Sequence, residues 1–167
     1  MLVLDKIKEY NNNGTFYPAW GTCLGFERLA VFTAEDPDDV LEEYGAHTTI
    51  PITEFIGNPK QTKMFCGLSD DEIVKFTTGN YTMNSHSFSI SPDTFETDEG
   101  LSSFWNVTSK TTAENGREFI STMEAKDYPI MATQFHPEKP SQVWNKKAVN
   151  HSWESLQLNQ MFGEKFV

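Results

Sequence analysis

Cys23 and His136 are the two side chains whose surroundings could make a nucleophile and a base. Cys23 lies two residues after Gly21 and two before Gly25, in the run "PAWGTCLGFERLA". An apolar stretch enters it and a helical pattern leaves it, which is the layout of a nucleophile elbow. In so tight a turn neighbouring Cβ atoms collide, and the expectation is that both glycines relieve that crowding. A thiol at such a turn stands at a helix N-terminus, where the macrodipole and unpaired N–H groups favour a thiolate. The N–H of Leu24 is then placed as one donor to a tetrahedral oxyanion. A lone cysteine is more often an ordinary buried side chain, so Cys23 alone does not establish chemistry.

A second feature supplies the missing partner. His136-Pro137-Glu138 follows the apolar run 130–135, 113 positions beyond Cys23. If that link is extended, residues i and i+2 share a side, with Pro137 keeping it stiff. Glu138 would then accept one ring N–H of His136 and leave the other nitrogen for Cys23. Nucleophile, base and orienting acid are thereby all present, each pair following a strand.

The elements that must position these groups are read from periodicity. Val3 to Tyr10 predicts a helix closed by Asn11-Asn12-Asn13-Gly14. Phe16 to Thr22 predicts a short buried strand, and Leu24 to Phe32 a second helix. Thr48 to Ile56 and Glu72 to Thr78 read as strands. Asn106 to Thr112 and Arg117 to Met123 read as a hairpin about Asn115-Gly116, a pair that favours the tightest hairpin turns. Ile130 to Phe135 is the last strand. Ser152 to Phe166 is the last helix, with Ser152 as N-cap and Leu158, Met161, Phe162 and Phe166 at core-facing spacing.

The chain has 167 residues, enough for one domain with its own core. Its 13 Lys and Arg stand against 24 Asp and Glu, a net charge of -11. That argues against a nucleic-acid partner, which needs clustered cations, although a few cations in a cleft can still hold an anionic ligand. The acidic run between Glu35 and Glu43 is best read as solvated surface. Apolar runs are too short for a membrane span, and Cys23 and Cys66 alone do not suggest a disulfide framework. Sequons at Asn80, Asn106 and Asn150 are compatible with a secretory route.

Beyond these motifs, "NSHSFSISPDTF", "EFISTMEAKDYPIMATQFHPEKPSQVW" and "NHSWESLQLNQMFGEKFV" make the chain resemble the γ-glutamyl hydrolase family. The elbow and the His-Pro-Glu run are shared by all class I glutamine-amidotransferase-like domains; the longer blocks carry the narrower resemblance. It implies a three-layer α/β, flavodoxin-like domain spanning residues 1–167. It also implies cleavage of γ-glutamyl bonds in folate poly-γ-glutamates or other γ-glutamyl small molecules, without metal or organic cofactor. Cys23 matches the family nucleophile, His136 the base and Glu138 its acid partner.

His86 matches a family histidine beside the substrate site, where the local pattern alone favours a surface strand residue. His151 matches another, read as a cap before a substrate contact; His47 and Arg28 match nothing definite. A lysosomal or extracellular setting is expected, with a homodimer as one arrangement. About 20 residues precede Cys23, whereas the family places several strands and helices, and a second oxyanion donor, before its elbow. The expectation is therefore a domain lacking the usual N-terminal strands and helices, whose open edge a second copy or partner chain covers. Two other readings use the same residues: a non-catalytic binding subunit, and a glutaminase domain of an amidotransferase.

Overall fold

The computed structural model describes residues 2–44 and 52–166. His47 and the first part of the strand expected from Thr48 lie outside the described residues. Seven α-helices, a short 3-10 helix at Pro59–Gln61 and seven strands make up the described chain. Helix α1 spans Leu2–Asn12, strand β1 Ala19–Thr22, helix α2 Leu24–Thr33, strand β2 Glu42–Glu43 and strand β3 Thr53–Phe55. Helix α3 spans Asp70–Thr78, strand β4 Phe88–Ser89, helix α4 Pro92–Thr97 and helix α5 Glu99–Phe104. Strands β5, Trp105–Thr112, β6, Glu118–Ala125, and β7, Ile130–Thr133, precede helices α6, Lys139–Gln142, and α7, Trp153–Phe166.

Five strands form one mixed sheet in the order β1-β7-β6-β5-β3, and β2 pairs with β4 separately. Only β1 and β7 run parallel, matched from Ala19↔Ile130 to Thr22↔Thr133. The other neighbours are antiparallel. Successive residues of a strand point to opposite faces, and β7 uses both: Ile130 and Ala132 enter one apolar cluster, and Met131 packs on another. The first cluster adds Leu4, Ile7, Phe26, Ala30, Phe95 and Leu101 from α1, α2, α4 and α5. The second adds Phe76 from α3 and Leu158 and Phe162 from α7. Helices therefore cover both faces of the sheet, giving the three-layer α/β arrangement. Among the described residues no helix is long and apolar enough to cross a membrane.

The segment 72–78 is helical, not extended. Ser69 caps α3, with Glu72 N–H reaching its hydroxyl and the Glu72 carboxylate returning to the Ser69 N–H. Asp70, Asp71 and Glu72 fill the first turn, where they favour the helix dipole. The capping box outweighs the strand-like Ile73-Val74 pair, and Phe76 is the residue buried. The hairpin also differs in its turn. Gly116 has φ 81° while Asn115 is not left-handed, and Ala113 N–H bonds Arg117 O at 2.8 Å. The connection is a three-residue loop with the left-handed glycine last, not the two-residue form that Asn-Gly favours. The strand before the elbow starts at Ala19, three residues later than expected, and Phe16 and Tyr17 are exposed.

Candidate active site

Cys23 stands alone between β1 and α2, and its backbone shows what the position costs. Its φ is 52° with ψ −105°, and among the described residues it is the only non-glycine with positive φ. L-residues avoid that region, so the strain is held in place by the surrounding structure. The Cys23 N–H bonds Thr133 O at 2.8 Å, and its carbonyl takes the Glu27 N–H at 3.0 Å. One contact thus ties the elbow to β7 and the other starts α2. Leu24 heads α2, so its N–H is among the first-turn donors left without a helical partner, where the sequence places an oxyanion donor.

The two glycines of the elbow are not equivalent, which corrects the expectation that both relieve crowding. A Cβ on Gly21 would sit 2.6 Å from Leu29 Cδ1 and 2.8 Å from the Gly25 carbonyl carbon and oxygen. A Cβ on Gly25 would meet nothing within 4 Å. Gly21 is the close-packed member, where strand and helix backbones touch; Gly25 borders open space above the turn.

His136 lies three residues beyond the end of β7, and its N–H is held by Met83 O at 2.9 Å. Its Nδ1 donates to Glu138 Oε1 at 2.7 Å, which leaves Nε2 for the thiol. Burial works against a charged ring here, but hydrogen bonds to Cys23 and Glu138 overcome it and push the pKa of His136 up to about 9. Burial likewise disfavours the Glu138 carboxylate, but the His136 hydrogen bond, a backbone N–H and the charges of His136 and Lys139 together outweigh it and hold Glu138 below the usual carboxylate range. Near neutral pH the ring is therefore an imidazolium between a carboxylate and a sulfur.

The expected side-by-side placement of His136 and Glu138 is present, but not on an extended link. Glu138 has helical dihedrals, φ −76° and ψ −24°, and begins α6. Lys139 N–H closes a turn onto His136 O at 3.3 Å. Pro137 sits where a tight turn prefers proline, so it bends the chain and brings the carboxylate back to the ring.

A third segment reaches the thiol. Ser85 O lies 3.9 Å from Cys23 Sγ. The adjoining His86 is buried, only 5% exposed, so the surface-strand reading of its pattern does not hold. Its Nδ1 lies 2.8 Å from Phe88 O and its Nε2 3.2 Å from Asn84 Oδ1, and Phe119 packs edge-on at 5.0 Å. It is built into the wall behind Ser85. His151 links α6 to the approach of α7, its Nδ1 donating to Pro140 O at 2.7 Å and its ring stacked on Trp144. Arg28 is exposed on α2. Both cysteines are free thiols.

A cleft of about 690 Å³ opens beside Glu138, walled by Trp20, Thr22, Trp153, Phe162 and Phe166 among others. Neither Cys23 nor His136 lines it; it runs along β1 and α7 rather than over the thiol. Sequence reasoning passed over Glu27 and Gln134, both buried directly behind the elbow. The available signal was a charge at Glu27 interrupting the apolar stripe of Phe26 and Ala30.

Residues 4–155 match the family model for glutamine amidotransferase class-I. Gamma-glutamyl hydrolase B of Dictyostelium discoideum is 37% identical over 99% of this chain and 48% of its own length. Gamma-glutamyl hydrolase 1 of Arabidopsis thaliana is 31% identical over 95% and 45%. Gamma-glutamyl hydrolase of Rattus norvegicus is 33% identical over 97% and 50%. The chain thus spans about half the length of the curated relatives it matches.

Proposed function

The chain belongs to the glutamine amidotransferase class-I family, and from that premise we propose that it is a cysteine-dependent hydrolase of γ-glutamyl bonds in folate poly-γ-glutamates. The observation that carries this reading is the His136 ring held between Glu138 and Cys23 at the strained turn. Similarity to γ-glutamyl hydrolases over nearly the whole chain supports the choice of bond.

In the proposed cycle the resting proton sits on His136 Nε2, beside the Cys23 sulfur. Cys23 Sγ attacks the γ-amide carbonyl, and the carbonyl electron pair moves to an oxyanion facing the Leu24 N–H. As that pair returns, the C–N bond breaks and His136 gives its Nε2 proton to the leaving amine. Neutral His136 then takes a proton from water as its oxygen attacks the thioester; the C–S bond breaks, releasing the γ-carboxyl product and returning the Cys23 sulfur beside protonated His136. Glu138 keeps the imidazolium favourable throughout and holds its ring plane, without itself taking the proton.

A second reading, a weakly active or non-catalytic subunit working with another chain, is favoured by one observation. Strand β1, which leads into the nucleophile, is the outer strand of the described sheet, with an apolar cleft along it. Unpaired strand edges are natural sites for pairing with another chain, and a second copy is the occupant proposed under this reading. A lysosomal or extracellular setting goes with either reading, as Asn80 and Asn106 of the sequons are exposed.

The test is incubation of a folate poly-γ-glutamate with wild type and Cys23→Ala, following product chain length by chromatography. The expected loss in the variant is about 10³-fold or more. Equal turnover in both, or none in either, overturns the hydrolase reading.

A further inference from the structure

Behind the elbow, three polar side chains are buried and hydrogen-bonded to one another. Glu27 lies one helical turn past Cys23 on α2 and is 7% exposed. Gln134 lies two residues before His136, and Ser89 ends β4; both are fully buried. Gln134 Nε2 donates to Glu27 Oε1 at 3.1 Å, and Ser89 Oγ donates to Gln134 Oε1 at 3.1 Å. Burial pushes the Glu27 carboxyl up, with the Gln134 amide and the Arg28 charge pulling the other way. A carboxylate kept in an apolar layer carries a desolvation cost, which an apolar residue at position 27 would avoid.

The ends of this chain of bonds explain why the cost is borne. Glu27 belongs to the helix that starts at the nucleophile. Gln134 belongs to the segment that leads to the base. Ser89 belongs to the segment 83–89, whose Ser85 carbonyl faces Sγ and whose Met83 carbonyl holds the His136 N–H. We propose that Glu27, Gln134 and Ser89 form a buried clamp that fixes the elbow, the His136 segment and the 83–89 wall in one mutual geometry, with Glu27 as its positioning residue. Rigid support of this kind matters because small misplacements of reacting groups cost rate steeply.

The acceptor at position 27 decides how the clamp is oriented. A carboxylate only accepts, so it turns the Gln134 amide nitrogen toward itself and leaves the amide oxygen for Ser89. A glutamine at position 27 still offers an oxygen in the same place. A leucine offers none, and leaves the Gln134 amide without its partner in a dry layer. The backbone tie from Cys23 N–H to Thr133 O remains in every variant, so the clamp adds a second tie between α2 and the His136 segment beyond the first.

This inference deepens the hydrolase reading and rests on it for the role of Cys23, but its test needs no substrate. Alkylation of Cys23 by iodoacetamide near neutral pH is followed by mass spectrometry, with Cys66 of the same molecule as internal reference. The variants are Glu27→Leu, Glu27→Gln and Ser89→Ala, each checked for a cooperative melt. Glu27→Leu is expected to lower the Cys23-to-Cys66 ratio about 10-fold or more, as the thiol loses its set distance from the imidazolium. Glu27→Gln is expected to stay within about 3-fold of wild type.

Ser89→Ala cuts the outer arm alone and is expected to lower the ratio about 3-fold, which keeps the proposal open to refutation if Glu27→Leu does not fold. An unchanged ratio in folded Glu27→Leu, or in Ser89→Ala, overturns the clamp. So does a Glu27→Gln ratio as low as that of Glu27→Leu, since charge rather than an accepted hydrogen bond would then be at work. If wild type hydrolyses no γ-glutamyl bond while the alkylation pattern holds, the substrate reading fails and the clamp stands.

Discussion

Thr22 and Thr133 face each other as the last matched residues of the parallel pair β1–β7. Cys23 follows one of them directly, and His136 follows the other by three residues. Because parallel strands end on the same side of a sheet, this single register position brings residues 113 positions apart to one edge. The Cys23 N–H then bonds the Thr133 carbonyl itself at 2.8 Å, so the candidate nucleophile is attached to the strand that leads to its candidate base. A one-residue slip of β7 would turn Gln134 and His136 to the opposite faces.

The charge on His136 is set jointly by Cys23 and Glu138, which predicts an order of titration. NMR of the ring should show wild type titrating highest, near the value of about 9. Cys23→Ala, which removes the sulfur partner, should fall below it. The double variant with Glu138→Gln should fall lowest, at or under the ordinary value of 6.5, because burial then acts unopposed. A Cys23→Ala ring that still titrates like wild type would show that sulfur is not a partner.

The same pair predicts how stability follows pH. His136 is raised in the fold, so its contribution is complete below about 6.5 and is lost as pH rises through about 9. Glu138 is lowered, so its contribution is present above its ordinary 4.5 and is lost as pH falls through its lower folded value. Both contributions are complete together between about 4.5 and 6.5. The stability gap between wild type and Glu138→Gln, from urea unfolding, should be widest there and shrink above pH 9. A gap that grows with pH would reverse the assigned sign.

Much of the candidate site's geometry was legible because its signals are local. The Gly21-Thr22-Cys23-Leu24-Gly25 turn and the His136-Pro137-Glu138 run each carry their geometry within a few residues. What the sequence pattern hid depends on contacts made at a distance. Residues 72–78 read as a strand because Ile73 and Val74 outweighed a capping box at Ser69 and Glu72 that only three-residue spacing exposes. The turn at Pro137 reads as extended from sequence, since a proline suits both conformations and the deciding bond, Lys139 N–H to His136 O, belongs to the next helix. Gln134 gave no sign at all: its meaning lies in Glu27 and Ser89, on α2 and β4.

The unequal glycines of the elbow predict unequal variants. Gly21→Ala would force a methyl to within 2.8 Å of the Gly25 backbone, where neither strand nor helix can yield without moving Cys23. A loss on the order of 3 kcal/mol or more is expected, with hydrolysis lost alongside. Gly25→Ala fits in open space in the first turns of α2 and should stabilise the fold by about 0.5–1 kcal/mol. Thermal melts of the two variants decide this. Equal destabilisation would mean that the two positions are packed alike.

Phe162 predicts how far the site depends on the layer beneath it. Its ring packs edge-on against Trp20 at 5.9 Å and Phe135 at 5.4 Å, residues that lead into Cys23 and His136. On its other sides it meets Phe65 and Phe76, each at 5.9 Å. Phe162→Ala therefore removes the ring that joins α7 to both site strands and leaves a cavity between two apolar residues close to the chemistry. The expected cost is about 3–5 kcal/mol of stability, read from urea unfolding. Phe162→Leu, which keeps most of the volume, should cost less than half of that. If α7 only covers the sheet, kcat should be unchanged in folded Phe162→Leu. If it also sets the strand positions, kcat should drop with KM constant, and the direct packing on Trp20 and Phe135 makes that the expected result.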